Sequence, residues 1–116
     1  MQNYRDLIVW QKSMELVKLT YQAINKLPLE EKFALSDQMR RSVVSIPSNI
    51  AEGYERKSTK EYIHFLLIAS ASRAELTTQL EICKMLGYLD DISELLSRCN
   101  EIGKIINSII KGLKEY

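Results

Sequence analysis

The amino-acid sequence predicts an all-α protein, an antiparallel four-helix bundle of up-down-up-down topology. Three observations point there. Apolar residues recur at spacings of three and four in four separate segments. Short breaker clusters near Pro28, Gly53 and Gly87 separate those segments. Only 4 Gly and 2 Pro occur in 116 residues, against abundant Leu, Ile, Lys and Glu, which are strong helix formers. The length suits a single domain over 1–116 with one core.

The first helix is expected at about 7–26, with Leu7, Trp10, Met14, Val17, Tyr21 and Ile24 as its main stripe. Leu27-Pro28 ends it, since the residue before proline resists the α conformation. Ile8, Leu16, Leu19 and Ala23 form a second apolar set on roughly the opposite side, interrupted by Lys12, Glu15 and Lys26. A lone bundle helix needs one apolar face, so the second set is a candidate oligomer face. Its alternative is scattered surface apolar residues, which are common.

The second helix is expected at about 29–54, striped by Leu35, Met39, Val43, Ile46 and Ile50. Its start has two readings, because Pro28 suits a first turn and Ser36 suits an N-cap. A short turn before Ser36 followed by the main helix accommodates both. Pro47 deletes the donor to the Val43 carbonyl. The stripe keeps its phase to Ile50, so a kink is expected there and not a break.

Ser58-Thr59-Lys60-Glu61 is a capping box opening a third helix over about 59–86, and Gly87 stops it. Tyr62, Phe65, Leu66, Ala69, Leu76, Leu80 and Cys83 form its buried face. The small run Ala69-Ser70-Ala71-Ser72 allows a neighbouring helix to come close. Asp91, with Glu94 three residues on, caps a fourth helix over about 91–115. Ile92, Leu95, Cys99, Ile102, Ile106, Ile109 and Leu113 give it a heptad-like seam.

Several function classes find no support. Net charge is +1, so no global field draws nucleic acid or membrane. Residues 1–6 lack a signal-peptide layout, and the apolar run from Phe65 to Ala69 is far short of the roughly twenty residues of a membrane span. Cys83 and Cys99 are too few for a disulfide framework, and helix register offsets them by about 6 Å along the axis. A cytoplasmic chain with reduced, buried thiols is expected. Glu61-x-x-His64 matches one element of a di-iron bundle, but His64 is the only histidine and such sites need two. The same shortage leaves any nucleophile without a base. No catalytic residue, metal or cofactor is expected.

The least ordinary feature is a polar row on the second helix. Gln38, Arg41, Ser45, Asn49, Glu52 and Arg56 fall within about 100° of one another. Such a row binds phosphate, pairs with another helix, or simply faces solvent. Arg40, Arg41, Arg56, Lys57 and Lys60 against Glu52 and Glu55 leave a local charge of +3. This makes Arg56, Lys57 and Lys60 candidate phosphate contacts, with solubilising surface charge as the alternative.

The stretch Gln38-Met39-Arg40-Arg41-Ser42-Val43-Val44-Ser45-Ile46-Pro47-Ser48-Asn49-Ile50-Ala51-Glu52-Gly53 resembles the signature of the four-helix proteins encoded in 23S ribosomal-RNA intervening sequences. Leu7-Ile8-Val9-Trp10-Gln11, Ala69-Ser70-Ala71-Ser72-Arg73-Ala74-Glu75-Leu76 and Leu86-Gly87-Tyr88-Leu89 extend the resemblance over almost the whole chain. It implies a bundle that assembles as a ring, typically a pentamer, without enzymatic activity. A related group serves as accessory subunits of diversity-generating retroelements and binds nucleic acid and a reverse transcriptase through a strongly basic surface. This chain departs from that group in charge. A homo-oligomeric scaffold with an unidentified protein partner is therefore the leading expectation. Weak electrostatic RNA or DNA binding is the alternative. The matching motif positions are Arg41, Ser45, Asn49 and Glu52, with Glu75 on the third helix. Helix register puts Arg41 and Glu75 about 3 Å apart along the bundle axis, so an ion pair within the bundle or to an adjoining subunit is expected.

Overall fold

The computed structural model describes residues 3–115. It contains four α-helices: α1 (Ile8–Ile24), α2 (Leu35–Tyr54), α3 (Thr59–Met85) and α4 (Ser93–Lys114). Short 3-10 turns at Tyr4–Asp6 and Leu29–Glu31 precede α1 and α2, and the described residues include no strand. Among the described residues each helix lies against two others, in the cycle α1–α2–α3–α4–α1, and the diagonal helices do not come backbone to backbone. Ser42 and Ser45 of α2 bond to Glu75 and Ser72 of α3, so the partner number falls as the α2 number rises. Arg73 and Thr77 of α3 meet Gly103 and Cys99 of α4 in the same reversed order. These pairs run antiparallel.

Local chemistry sets the helix ends. Ser58 caps α3, its hydroxyl accepting from the Glu61 N–H at 3.1 Å and donating to the Glu61 carboxylate at 3.1 Å. The reciprocal bond of the expected capping box, from the Ser58 backbone N–H to Glu61, does not form. Gly87, at φ 79°, ends α3 with Tyr88 N–H on the Cys83 carbonyl and Gly87 N–H on that of Lys84. Asp91, one residue before the N-cap Ile92, accepts from the Ser93 N–H at 2.9 Å. Hydrogen bonding from the Ser93 side chain first and its backbone N–H second holds the Asp91 carboxyl below the usual range. Glu94 does not complete a box there. It pairs instead with Arg98, one turn on. The start of α2 is a short turn followed by the main helix, one of the two readings, but the helix opens at Leu35 and not at 29, and Ser36 is buried inside its first turn and caps nothing. Glu31 takes part of that role, reaching the Leu35 N–H at 3.4 Å while accepting from the Tyr88 hydroxyl at 2.8 Å.

The larger correction concerns the rotation of α1. Its buried residues are Val9, Ser13, Leu16, Thr20 and Ile24, an arc of about 80°. That arc lies between the two apolar sets read from the sequence. Trp10, Met14 and Val17 border α2, whereas Leu19 and Ala23 border α4. The two sets are flanks of one wide face that spans two neighbours. Leu16, expected on an oligomer face, is at 0% exposure in the core. Met14 and Tyr21, expected in the core, are 43% and 41% exposed. Ser13 sits at the centre of the face because its hydroxyl returns to the Val9 carbonyl at 2.6 Å.

The core is otherwise as the stripes predict. Met39, Val43, Ile46 and Ile50 of α2 meet Leu66, Ala69, Leu76, Leu80 and Cys83 of α3, closed by Cys99, Ile102 and Ile106 of α4. Leu95, Ile109 and Leu113 are only partly buried. A tight approach lies at Gly53, where an added Cβ would stand 2.7 Å from the Phe65 Cβ and 3.3 Å from the Tyr62 carbonyl. Neither obstacle is the far end of a flexible side chain, so the helices themselves must part. Gly53→Ala should therefore destabilise the fold by about 1–3 kcal/mol despite alanine's better helix propensity. Urea denaturation measures this, and an unchanged or raised midpoint would show that the seam is slack.

Candidate functional site

The polar row on α2 divides into a structural part and an exposed part. Ser45 and Asn49 are half-buried against α3. The Ser45 and Ser72 hydroxyls bond across the seam at 2.8 Å. The Asn49 amide donates to both the carbonyl and the hydroxyl of Ser45, each at 2.8 Å. Pro47, buried within a continuous helix, explains this arrangement. Lacking an N–H, it leaves the Val43 carbonyl without its helical donor and crowds the preceding turn. The next two carbonyls each receive a side-chain donor: Ser48 Oγ reaches Val44 at 2.8 Å and Asn49 Nδ2 reaches Ser45. Ser45, Ser48 and Asn49 thus support the turn that the proline weakens, and the helix continues to Tyr54.

Arg41 and Glu75 do come to one place. With Gln38, Ser42, Ser45, Ser72 and Gln79 they line an open bay of about 310 Å³ between α2 and α3. The expected ion pair is absent within the protomer. Arg41 Nε bonds to Asp37, one turn back on its own helix, at 3.0 Å, and its side chain is 79% exposed. Glu75 accepts instead from the Ser42 hydroxyl at 2.8 Å. Each group has a partner that needs less reach. The sequence reading passed over Asp37, Ser42 and Ser72. The last two were legible as small hydroxyl residues level with 75 and 45 across the turn.

At the lower end of α2, Glu52 holds Arg56 at 2.8 Å. Arg56 also lies 3.9 Å from Glu61 and stacks 4.8 Å over the Phe65 ring. Of the three candidate phosphate contacts, Arg56 is thus engaged by two carboxylates, while Lys57 and Lys60 are exposed. Ile8 is 61% exposed, and Leu19 and Ala23 are half-buried beside α4.

Groups with reactive potential are dispersed. Cys83 and Cys99 are free and buried, and burial pushes both thiols up, away from the nucleophilic thiolate. His64 is exposed, with its ring edge-on to Phe65. Among the described residues no three His, Cys, Asp or Glu side chains gather to hold a metal ion, and no helix is long and apolar enough to cross a membrane.

Stability measurements separate the structural pair from the neighbouring one. A double-mutant cycle of Ser45→Ala with Ser72→Ala should give a coupling of about 0.5–1.5 kcal/mol. The cycle of Arg41→Ala with Glu75→Ala should be additive within about 0.5 kcal/mol. The reverse ranking would mean that the ion pair, and not the hydroxyl pair, fixes the seam.

Comparison with known proteins agrees with this geometry. None of the curated proteins is similar enough to count as a relative. A crystal structure from Bacteroides thetaiotaomicron, of a protein with unknown function from the S23 ribosomal protein family, superposes with a TM-score of 0.83 at 31% identity. The match covers 90% of this chain and 99% of that one. The sequence profile of the 23S rRNA-intervening sequence proteins matches residues 5–108. The chain therefore belongs to the family of 23S rRNA-intervening sequence proteins.

Proposed function

We propose that this chain is a non-enzymatic helical scaffold that assembles with copies of itself, with a ring of five as the assembled state. The observation that supports it is the apolar groove between α1 and α2. Trp10, Met14, Val17, Val44, Pro47 and Ala51 line about 390 Å³ of open space there. Met14 and Val44 stand more than two-fifths exposed on its edges. A lone protomer gains nothing from apolar side chains held in water, whereas a packed neighbour would bury them. Ile8 adds exposed apolar area on the other flank of α1, and Leu19 and Ala23 line a second groove with Leu89 and Leu95. The ring size rests on the family resemblance.

Light scattering coupled to size exclusion tests this directly. The expected mass is five times the 13.4 kDa protomer, and Met14→Lys or Val44→Glu should lower it while leaving the helical circular dichroism intact. A protomer mass persisting at roughly tens of micromolar would overturn the scaffold reading.

One observation favours a second reading, weak electrostatic binding of RNA or DNA. Lys57 and Lys60 flank the α2–α3 turn, exposed and without a carboxylate in ion-pair range among the described residues. Such contacts hold phosphates without reading bases. Fluorescence anisotropy with RNA and DNA oligomers should then show sequence-tolerant binding that collapses between low and physiological salt. Lys57→Ala with Lys60→Ala should abolish it, and Arg56→Ala should add little. Tight, salt-insensitive or sequence-selective binding would contradict this reading.

A further inference from the structure

We infer that the groove between α3 and α4 holds a small oxyanion, a carboxylate or phosphoryl group, against Arg73. The first reason is the state of the guanidinium. Arg73 is half-buried, and its Nε is shut off from solvent with no hydrogen-bond partner. Its Nη2 makes one long bond, 3.4 Å to the Ser70 hydroxyl. No carboxylate lies in ion-pair range among the described residues, whereas Arg41 and Arg98 each have one and Arg56 has two; Arg40 also lacks one but bonds to the Lys32 carbonyl. A charge drawn partly out of water without a counter-ion is unfavourable until an anion joins it.

The second reason is Gly103. It lies in the middle of α4, where glycine costs roughly 1 kcal/mol relative to alanine. An added Cβ would stand 2.7 Å from both Cζ and Nε of Arg73 and 3.1 Å from its Cδ. The glycine is the berth in which the guanidinium lies. At two residues, then, the chain gives up stability in a way that keeps a positive charge at this point.

The third reason is the surrounding space. Arg73 lines an open groove of about 510 Å³ together with Thr77, Glu81, Ser97 and Asn100. Ser97 and Asn100 are exposed hydroxyl and amide donors, and the Thr77 hydroxyl is turned to the Arg73 carbonyl at 3.1 Å. Glu81 is two turns further along α3, about 12 Å away, so it marks the far end of the groove and does not neutralise Arg73. A guanidinium fork beside free hydroxyl and amide donors is the chemistry that recognises an oxyanion. This groove lies on a different seam from the α2–α3 bay and does not depend on Lys57 or Lys60.

The test follows the Arg73 Nε–Hε resonance of ¹⁵N-labelled protein during titration with inorganic phosphate and, separately, acetate, with thermal melting in parallel. A saturable shift in the millimolar range, with melting temperature rising with the anion, is expected. Arg73→Gln and Gly103→Ala should each weaken the response at least about tenfold, and Arg73→Lys should weaken it less. Gly103→Ala keeps the charge and decides the matter if Arg73→Gln does not fold. A third titration uses a single-stranded oligonucleotide. If it moves the same resonance at lower concentration than phosphate, the phosphoryl group belongs to nucleic acid, and if it leaves the resonance unmoved, a free anion is the ligand. An unsaturable response, or melting curves that respond equally in wild type and Arg73→Gln, would overturn the assignment.

Discussion

The close approach of α2 to α3 is the constraint on which the rest of the structure depends. Gly53 has Phe65 and Tyr62 where a side chain would be, and higher up the seam the short Ser45 and Ser72 side chains bond to each other and Ser42 bonds to Glu75. Longer residues at these positions would separate the helices, and the layer of Met39, Val43, Ile46, Leu66, Leu76 and Leu80 would lose its contacts. A buried proline in α2 survives in this setting because side chains of its own helix supply donors beside the missing one. Open grooves lie along the seams involving α1 and α4 as well as in the α2–α3 bay.

Much of this was legible in the sequence, and the failures have physical causes. The N-cap bond of Ser58, the stop at Gly87 and the Asp91 bond to Ser93 are local chemistry and form, whereas the reciprocal carboxylate bonds expected of Glu61 and Glu94 do not. The rotation of α1 was not legible. A hydrophobic pattern counts Ser13 and Thr20 as surface residues, yet both are fully buried. Ser13 satisfies its hydroxyl on its own helix, while Thr20 Oγ1 has no partner, so nothing in a polarity pattern distinguishes the centre of this face from its rim. The Arg41–Glu75 pair failed differently. Helix register placed both on one bay correctly, but height along an axis does not reveal that Asp37 lies closer to one and Ser42 to the other.

The long motif that identifies the family is largely mechanical in this protein. Ser45, Pro47, Ser48 and Asn49 form one backbone device, Gly53 permits the helix contact, and Glu52 anchors Arg56. None of these residues needs a ligand to account for it. Two features are left unexplained by the protomer alone: the exposed apolar groove along α1 and the uncompensated Arg73 in its glycine berth. The signature stretches also hold Trp10, Val44, Pro47 and Ala51 of that groove, and Arg73 itself.

The cyclic packing also bears on how the chain reaches its native state. Three of the four seams join helices that follow one another in sequence, and the fourth, between α1 and α4, joins the two ends. Most contacts can therefore form before any large loop closes, and the entropic penalty of long-range closure falls on a single step. Among the described residues the Lys12–Glu101 ion pair at 3.2 Å ties the flanks of α1 and α4, beside a groove that mixes Leu19, Ala23, Leu89 and Leu95 with charged and polar side chains. The three consecutive seams are local in sequence, so the α1–α4 closure is the one step whose cost grows with the length of chain between its ends.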